Sequence, residues 1–341
     1  MEKNEVIQPF DTNIKLMYHT DKINEFLNNG YTTPVMWELD LTYNCNHNCI
    51  GCYDFGAGGR ISNVKNLDLK TVKNHIDQIY DLGAKSICLT GGGEPLLYKD
   101  ITDIIIYIKN KGLDVSLTTN GSLLNKNNIP IILENCTWVR ISLDAGCRET
   151  FEKIHGVDDF DNIVKNIYNL SSFKNKIKSK CTIGVGFLTS NKNIDDMEIA
   201  TKLCKKLEVD YIQFRSFHLN YDDPYQIGEC KKIQTDNFKV YYLDYKYEKI
   251  QKQYKKCYGQ HFSGVLSLGK VFVCCHFRNN DKYEIGDLRE DTLEKIWKSE
   301  KRTNIIDNID LSKCIPSCRM HKVNIFLSSL VNDEQSHKNF I

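Results

Sequence analysis

The chain has 341 residues, with 45 Lys and Arg against 44 Asp and Glu, so its net charge of +1 leaves no basic footprint for nucleic acid. Its 41% hydrophobic content suffices for a substantial core, and no apolar run approaches the length of a membrane span. Fourteen cysteines stand behind an N-terminus, MEKNEVIQPFDTN, that has no signal-peptide core; the expectation is a cytoplasmic protein whose clustered thiols serve metal or catalysis rather than disulfides.

Residues 1–34 read as a helical lead-in, with Leu16, Met17, Ile23, Phe26 and Leu27 on one face. From 35 to 217 strands and helices alternate. The strand candidates are Met36–Leu41, Ser86–Thr90, Val115–Thr119, Trp138–Leu143, Thr182–Phe187 and Tyr211–Phe214. Helical patterns lie near 69–82, 100–111, 122–133, 148–170 and 194–207. Such units imply a parallel sheet with right-handed helical crossovers, either a doubly wound sheet or a barrel. Residues 218–256 form a Tyr- and Lys-rich connection with a helical stretch near 236–255. A second module is expected over 257–322, followed by a tail over 323–341.

The first strand runs into Cys45-Asn46-His47-Asn48-Cys49-Ile50-Gly51-Cys52. Three thiols spaced C-x3-C-x2-C can hold three irons of a [4Fe–4S] cluster and leave the fourth iron open to bind a small molecule. The competing reading is a zinc knob, but zinc ligands usually come as two close pairs and no fourth Cys lies nearby.

The second strand ends in Gly91-Gly92-Gly93-Glu94-Pro95, where glycines permit close backbone approach and Glu94 adds a carboxylate. The third ends Thr118-Thr119-Asn120-Gly121, and the fourth reads Val139-Arg140-Ile141-Ser142-Leu143-Asp144. On physical grounds these are equally a strand-to-helix turn, an Asn-Gly turn and a helix cap. Arg215, at the end of the sixth strand, suits either a bidentate carboxylate or phosphate contact or an ordinary ion pair.

The second thiol set begins at Cys257. Gly264 to Cys275 reads as a β-hairpin turning at Gly269-Lys270, with Cys274 at the end of its second strand. Ile285-Gly286-Asp287-Leu288, a helix Thr292–Trp297 and Cys314-Ile315-Pro316-Ser317-Cys318 follow. If strand alternation persists, Cys274 and Cys275 point to opposite sides. Cys88, Cys136, Cys147, Cys181, Cys204 and Cys230 are scattered in apolar or helical contexts and read as small buried hydrophobes.

The Cys45–Cys52 run resembles the cluster loop of the radical S-adenosylmethionine (radical SAM) enzymes. That resemblance implies a partial (β/α)6 TIM-like barrel, an α/β fold, with a small C-terminal α+β auxiliary-cluster module. It implies that Cys45, Cys49 and Cys52 hold a [4Fe–4S] cluster whose open iron chelates S-adenosylmethionine, and that one electron then releases a 5′-deoxyadenosyl radical. Gly92, Gly93 and Glu94 match the family's GGEP motif and take the amino group of S-adenosylmethionine. Ser142, Asn120 and Asp144 resemble positions facing its ribose and carboxylate. One departure is Gly51, where the family usually carries an aromatic residue near the adenine; Tyr53 is the nearest replacement.

The second set resembles a twitch or shortened SPASM module, which implies a second [4Fe–4S] cluster on Cys257, Cys274, Cys314 and Cys318, with a structural zinc site as the alternative. Cys275 is then surplus, either a hydrogen donor to a substrate radical or the true ligand in place of Cys274. The expected activity is hydrogen abstraction from a sugar, aminocyclitol or peptide substrate, ending in oxidation or epimerisation. A peptide-modifying epimerase or cross-linking enzyme is one alternative, and a non-catalytic iron–sulfur electron-transfer protein is another. A reductant such as flavodoxin or ferredoxin is implied as partner.

Overall fold

Ten strands form one continuous sheet in a computed structural model that describes residues 9–52, 66–217, 227–243, 254–315 and 318–332. The strands are β1 (Met36–Asp40), β2 (Ser86–Leu89), β3 (Asp114–Thr119), β4 (Cys136–Ser142), β5 (Thr182–Thr189), β6 (Tyr211–Ser216), β7 (Lys239–Tyr242), β8 (Ser263–Ser267), β9 (Lys270–Phe272) and β10 (Glu284–Asp287). Their spatial order is β10-β9-β8-β1-β2-β3-β4-β5-β6-β7. Pairing from β1 through β7 is parallel throughout, with helices crossing between strands, as in a partial TIM-like barrel.

The helices follow the sequence pattern with physical adjustments. Leu69–Asp81 buries Val72, His75, Ile76 and Ile79, one face of a 3.6-residue repeat, and Asp68 caps it by accepting from Thr71 N. The pattern expected over 148–170 is broken by Gly156 in the left-handed region (φ 67°), giving Arg148–His155 and Phe160–Ile177. The pattern near 122–133 yields a helix only over Asn128–Asn135.

Three expectations are corrected. Met17 and Leu27 are 49% and 43% exposed, so the buried face of the lead-in helices Thr12–Leu16 and Thr20–Asn29 is Leu16, Ile23 and Phe26. The stretch near 236–255 is not helical where it is described: Lys239–Tyr242 is β7, which extends the sheet beyond β6, and 244–253 lie outside the described residues. The hairpin turns at Leu268-Gly269 (φ 47° and 92°) rather than Gly269-Lys270, and β9 ends at Phe272 before either cysteine.

The hairpin is not a separate sheet. Strand β8 pairs in parallel with β1 over Met36–Asp40, so the second cysteine set grows from the barrel edge. The segment expected as a tail forms the helix His321–Val331, whose Val323 and Leu327 pack with Leu16, Ile23, Phe26 and Phe262 in a small second core. Trp297 Nε1 donates to Thr32 O at 2.8 Å, fixing the helix Leu293–Trp297 against the entry to β1. No helix among the described residues is long and apolar enough to cross a membrane.

Candidate functional site

Strand β1 sorts its side chains by alternation. Trp37 and Leu39 enter the hydrophobic core, while Glu38 and Asp40 face the barrel lumen and are also buried. Buried carboxylates need partners. Arg278 Nη2 lies 2.6 Å from Glu38 Oε2 and Arg278 Nε 2.8 Å from Asp40 Oδ2, and Arg319 pairs with Glu38 Oε1. Burial works against the charged form of Glu38, but the guanidiniums of Arg319 and Arg278 outweigh it and hold its carboxyl below the usual range. Both arginines come from the second cysteine module, so this cluster ties that module to the lumen.

The loop after β1 carries the first three thiols. It is anchored from two sides. Glu94 N donates to Asn44 O at 2.8 Å, while Asn48 N and Ile50 N donate to His155 O and Ile154 O, each at 2.9 Å. The Gly91-Gly92-Gly93 run explains the first anchor. A Cβ on Gly93 would lie 2.0 Å from Asn44 O, and one on Gly92 2.7 Å from Thr42 O. The glycines thus let the second-strand turn touch the cysteine loop itself.

Glu94 is 3% exposed and its carboxylate is a strut. Oε1 accepts from Thr119 Oγ1 at 2.6 Å and Leu96 N at 3.0 Å, and Oε2 from Asn120 N at 2.8 Å. Burial pushes its pKa up against the lowering pull of those donors. Asn120 continues the chain of contacts, its Nδ2 donating to Asn46 Oδ1 at 2.8 Å. Ser142, half-buried at the end of β4 opposite Gly186, has no side-chain hydrogen bond among the described residues. Asp144 caps no helix: its carboxylate accepts from Leu188 N at 2.6 Å and meets His155 Nε2 at 3.2 Å.

Sequence reasoning missed His47 and His155. Their ring nitrogens and Cys49 Sγ lie within 4.8 Å of one another. His155 Nδ1 is 3.3 Å from Cys49 Sγ and 3.2 Å from His47 Nδ1, while His47 Nε2 is 2.7 Å from Ser122 Oγ. Burial disfavours a charged His155, yet its bonds to Asp144 and Cys49 outweigh burial and raise its pKa to about 10. Only the His at 47, inside the cysteine run, gave any sequence signal. The Gly51 position is also filled: a Cβ there would meet the Phe217 ring at 1.4 Å. Tyr53 lies outside the described residues.

Farther into the lumen Arg140 stacks over Trp138, with its guanidinium 5.5 Å from the ring centroid, and Nη1 donates to Gln213 Oε1 at 3.3 Å. Arg215 is half-buried on β6, opposite Leu188 in register.

The second thiol set converges. Cys257, Cys274, Cys275, Cys314 and Cys318 line one largely apolar cavity with Val273, Phe277, Ile309 and Met320. The alternation expected for Cys274 and Cys275 fails because β9 has already ended, and Cys275 opens a 3-10 turn. Both thiols therefore border the same cavity. Burial first, then neighbouring Cys318 and Cys314, pushes the Cys257 thiol up to about 12; burial and Cys275 push Cys274 up. Thiols this crowded resist ionising beside one another, and a bound metal centre removes that resistance. Pro316 and Ser317, between the last two ligand candidates, lie outside the described residues.

Residues 39–203, from the first strand past the fifth, match the family model described as the radical SAM superfamily, and residues 257–320 match that of an iron-sulfur cluster-binding domain. The chain belongs to the radical SAM superfamily. It is a radical SAM enzyme whose cofactors are a [4Fe–4S] cluster, S-adenosylmethionine and an auxiliary iron–sulfur cluster. Both donor sets fit: three thiols on one anchored loop, and five thiols around one apolar cavity.

Among radical SAM relatives, a probable GTP 3′,8-cyclase of Saccharolobus islandicus is 32% identical over 190 residues, covering 53% of this chain and 56% of that protein. An Fe-coproporphyrin III synthase of Methanosarcina barkeri is 29% identical over 189 residues, covering 55% and 44%. The chain thus spans about half the length of the curated relatives it matches. The fold is similar to that of Streptococcus suis SuiB bound to S-adenosylmethionine, with a TM-score of 0.64 at 16% identity over 86% of this chain and 73% of that one. It is also similar to anSMEcpe with bound AdoMet, with a TM-score of 0.59 at 15% identity over 88% of this chain and all of that one.

Proposed function

We propose that this radical SAM enzyme abstracts hydrogen from a sugar-type or peptide substrate held in the barrel lumen, and that the usual product is a two-electron oxidation. The observation that carries the reading is the Arg319–Glu38–Arg278 cluster, which joins the second thiol set to the lumen. When bound, the cofactors supply reductive cleavage of S-adenosylmethionine to a 5′-deoxyadenosyl radical and, at the second site, an electron acceptor.

The chain's own residues then have defined tasks. Cys45, Cys49 and Cys52 hold the first cluster. Gly92, Gly93, Glu94, Asn120 and Ser142 hold S-adenosylmethionine; Glu94 keeps one acceptor site beyond its three internal donors, and the Ser142 hydroxyl has no partner to give up among the described residues. Asp144 acts from behind, through His155 and the β5 backbone. Cys257, Cys274, Cys314 and Cys318 hold the second cluster. Arg140 and Arg215 offer guanidiniums to polar or acidic groups of the substrate. The fold neighbours include SuiB bound to its precursor peptide SuiA, which supports the peptide half of the substrate class.

Epimerisation is the second reading, favoured by the surplus thiol. Cys275 borders the second cavity beside Arg319, whose guanidinium reaches Glu38 in the lumen. A thiol there returns hydrogen to a substrate radical from the side opposite its abstraction.

Anaerobic incubation of the reconstituted protein with S-adenosylmethionine and dithionite tests the common core. 5′-Deoxyadenosine and an S-adenosylmethionine-dependent change in the cluster EPR signal are expected; absence of both removes the assigned site. Turnover in D2O separates the outcomes, since oxidation leaves no solvent deuterium on the reacting carbon and epimerisation leaves one.

A further inference from the structure

Three neighbouring strands divide their side chains between core and lumen. On β4, Val139 and Ile141 enter the core, so Trp138, Arg140 and Ser142 face the lumen. On β6, Ile212 and Phe214 enter the core, so Tyr211, Gln213 and Arg215 face the lumen. Between them, β5 sends Ile183, Val185 and Phe187 into the core and turns Gly184 and Gly186 to the lumen. Over those two positions the wall of the lumen is bare backbone.

The bare strand is covered from both sides. A Cβ on Gly184 would fall 1.9 Å from Cζ of Tyr211, and one on Gly186 would lie 3.4 Å from Cδ of Arg140. Arg140 thus crosses β5 over Gly186 and gives Nη1 to Gln213 Oε1 on β6 at 3.3 Å. Burial pushes the Tyr211 phenol up, while Arg140 and then Arg215 pull it down, so both guanidiniums act on the same ring.

The lumen carboxylates of β1 are already taken. Arg278 and Arg319 hold Glu38, and Arg278 also holds Asp40. Among the described residues Arg140 has no carboxylate partner: Nη1 meets a neutral amide, and the buried Nε has no partner. A half-buried cation is costly unless it is compensated, and a guanidinium presents a planar fork that matches the oxygens of a carboxylate or a phosphate. Ser142 lies two residues farther along the same face, about 7 Å away. An anion on Arg140 would therefore sit beside the S-adenosylmethionine site, not in it.

We propose that Arg140 is a specificity-determining residue that anchors an oxyanion of the substrate, a carboxylate or a phosphate, over the glycine face of β5, so that the substrate of this enzyme is anionic. This deepens, and rests on, the reading that the barrel lumen holds the substrate next to S-adenosylmethionine.

The test uses the full chain with both clusters reconstituted and S-adenosylmethionine bound, in a buffer free of other oxyanions. Inorganic phosphate and acetate are titrated separately by calorimetry, and the cluster EPR signal is recorded with and without S-adenosylmethionine on reduced samples. Saturable binding to the wild type is expected, with tighter phosphate marking a phosphorylated substrate and tighter acetate a carboxylated one. Arg140→Gln should weaken that binding tenfold or more, the size of a lost charge-assisted hydrogen bond. The response of the EPR signal to S-adenosylmethionine should persist in this variant. Arg140→Lys keeps the charge without the fork and should bind severalfold more weakly than the wild type. If Arg140→Gln does not assemble its clusters, Arg140→Lys decides, and an unchanged affinity there counts against the anchor.

Three further results overturn the proposal: neither anion binds the wild type saturably, both bind wild type and Arg140→Gln equally, or Arg140→Gln abolishes the response to S-adenosylmethionine. The last would place the guanidinium on that cofactor instead of the substrate. A wild type that binds the anions through Arg140 but shows no response to S-adenosylmethionine keeps the anion site and removes the assigned S-adenosylmethionine site, and with it the claim on the substrate.

Discussion

The ring of Phe217 occupies the space that a side chain on Gly51 would need, with its Cζ 1.4 Å from the position of a Cβ there. Gly51 lies between Cys49 and Cys52, and Phe217 is one residue past β6, fixed by its own N–H to Thr189 O at 2.8 Å. The aromatic residue missing from the cysteine run is thus replaced in space by one from across the barrel mouth. Gly51→Ala forces the ring away at a cost of about 1–3 kcal/mol, the usual range for overpacking. Phe217→Ala should relieve that cost, so the double variant is less damaged than the two single effects added together. Thermal melts of the four proteins and their retained iron measure the coupling; strict additivity would show that the ring does not rest on Gly51.

Gly93→Ala tests the contact between the second-strand turn and the cysteine loop. Its Cβ would meet a backbone carbonyl, Asn44 O, at 2.0 Å, and a carbonyl cannot swing aside as a side chain does. The same shift would break the Glu94 N to Asn44 O bond. Loss of the S-adenosylmethionine-dependent change in the cluster spectrum is expected. Gly112→Ala is the control: it has φ 81° and nothing within 4 Å, so it should cost only about 1–2 kcal/mol of backbone strain and leave that spectrum intact.

What was legible in the sequence was what is local. The Cys45–Cys52 spacing, the Gly91–Pro95 turn and the hydrophobic alternation each lie within a dozen residues, so the barrel strands and the first thiol set could be read directly, whereas the second set, spread from Cys257 to Cys318, was legible only through its resemblance to a known module. The His155 contact to Cys49 spans 106 positions and leaves no periodic trace. Phe217 over Gly51 is hidden for the same reason. Strand β7 was misread because Lys239–Tyr242 is only four residues long, too short for alternation to stand out from its charged surroundings. The orientation of Cys274 and Cys275 was misjudged because alternation was extended beyond the last paired residue, Phe272.

His75 predicts acid lability. It is buried on the core face of the helix Leu69–Asp81, and its Nδ1 has no hydrogen-bond partner among the described residues. Burial lowers its pKa to about 4, against the opposing pull of Asp287 and Asp68. An unfolded histidine titrates near 6.5. As pH falls below about 6.5 the unfolded state gains a proton that the folded state refuses, so stability drops until pH reaches about 4. The full loss is on the order of 3 kcal/mol. His75→Met should flatten the dependence of melting temperature on pH across this window, whatever its effect at pH 8. Parallel pH curves for variant and wild type would show that another group governs the acid transition.

Cys274 and Cys275 decide how the second site is used. Five thiols line that cavity, and a cubane cluster takes four, so one thiol is left over; on the proposed assignment it belongs to the adjacent pair. Backbone geometry distinguishes them. Cys274 is extended (φ −163°, ψ 166°) at the end of the hairpin, whereas Cys275 begins a 3-10 turn toward Arg319 and the Glu38 cluster in the lumen. Cys274→Ala should therefore lose about four irons per chain while the first cluster still cleaves S-adenosylmethionine, because the two sites lie on separate loops. Cys275→Ala should retain all the iron and the cleavage. If Cys275 returns hydrogen to the substrate, this variant also loses the solvent deuterium found in the product of the wild type. If the reaction is an oxidation, its product is unchanged. Iron loss in Cys275→Ala with full iron in Cys274→Ala would reverse the assignment, making Cys275 the ligand and Cys274 the surplus thiol.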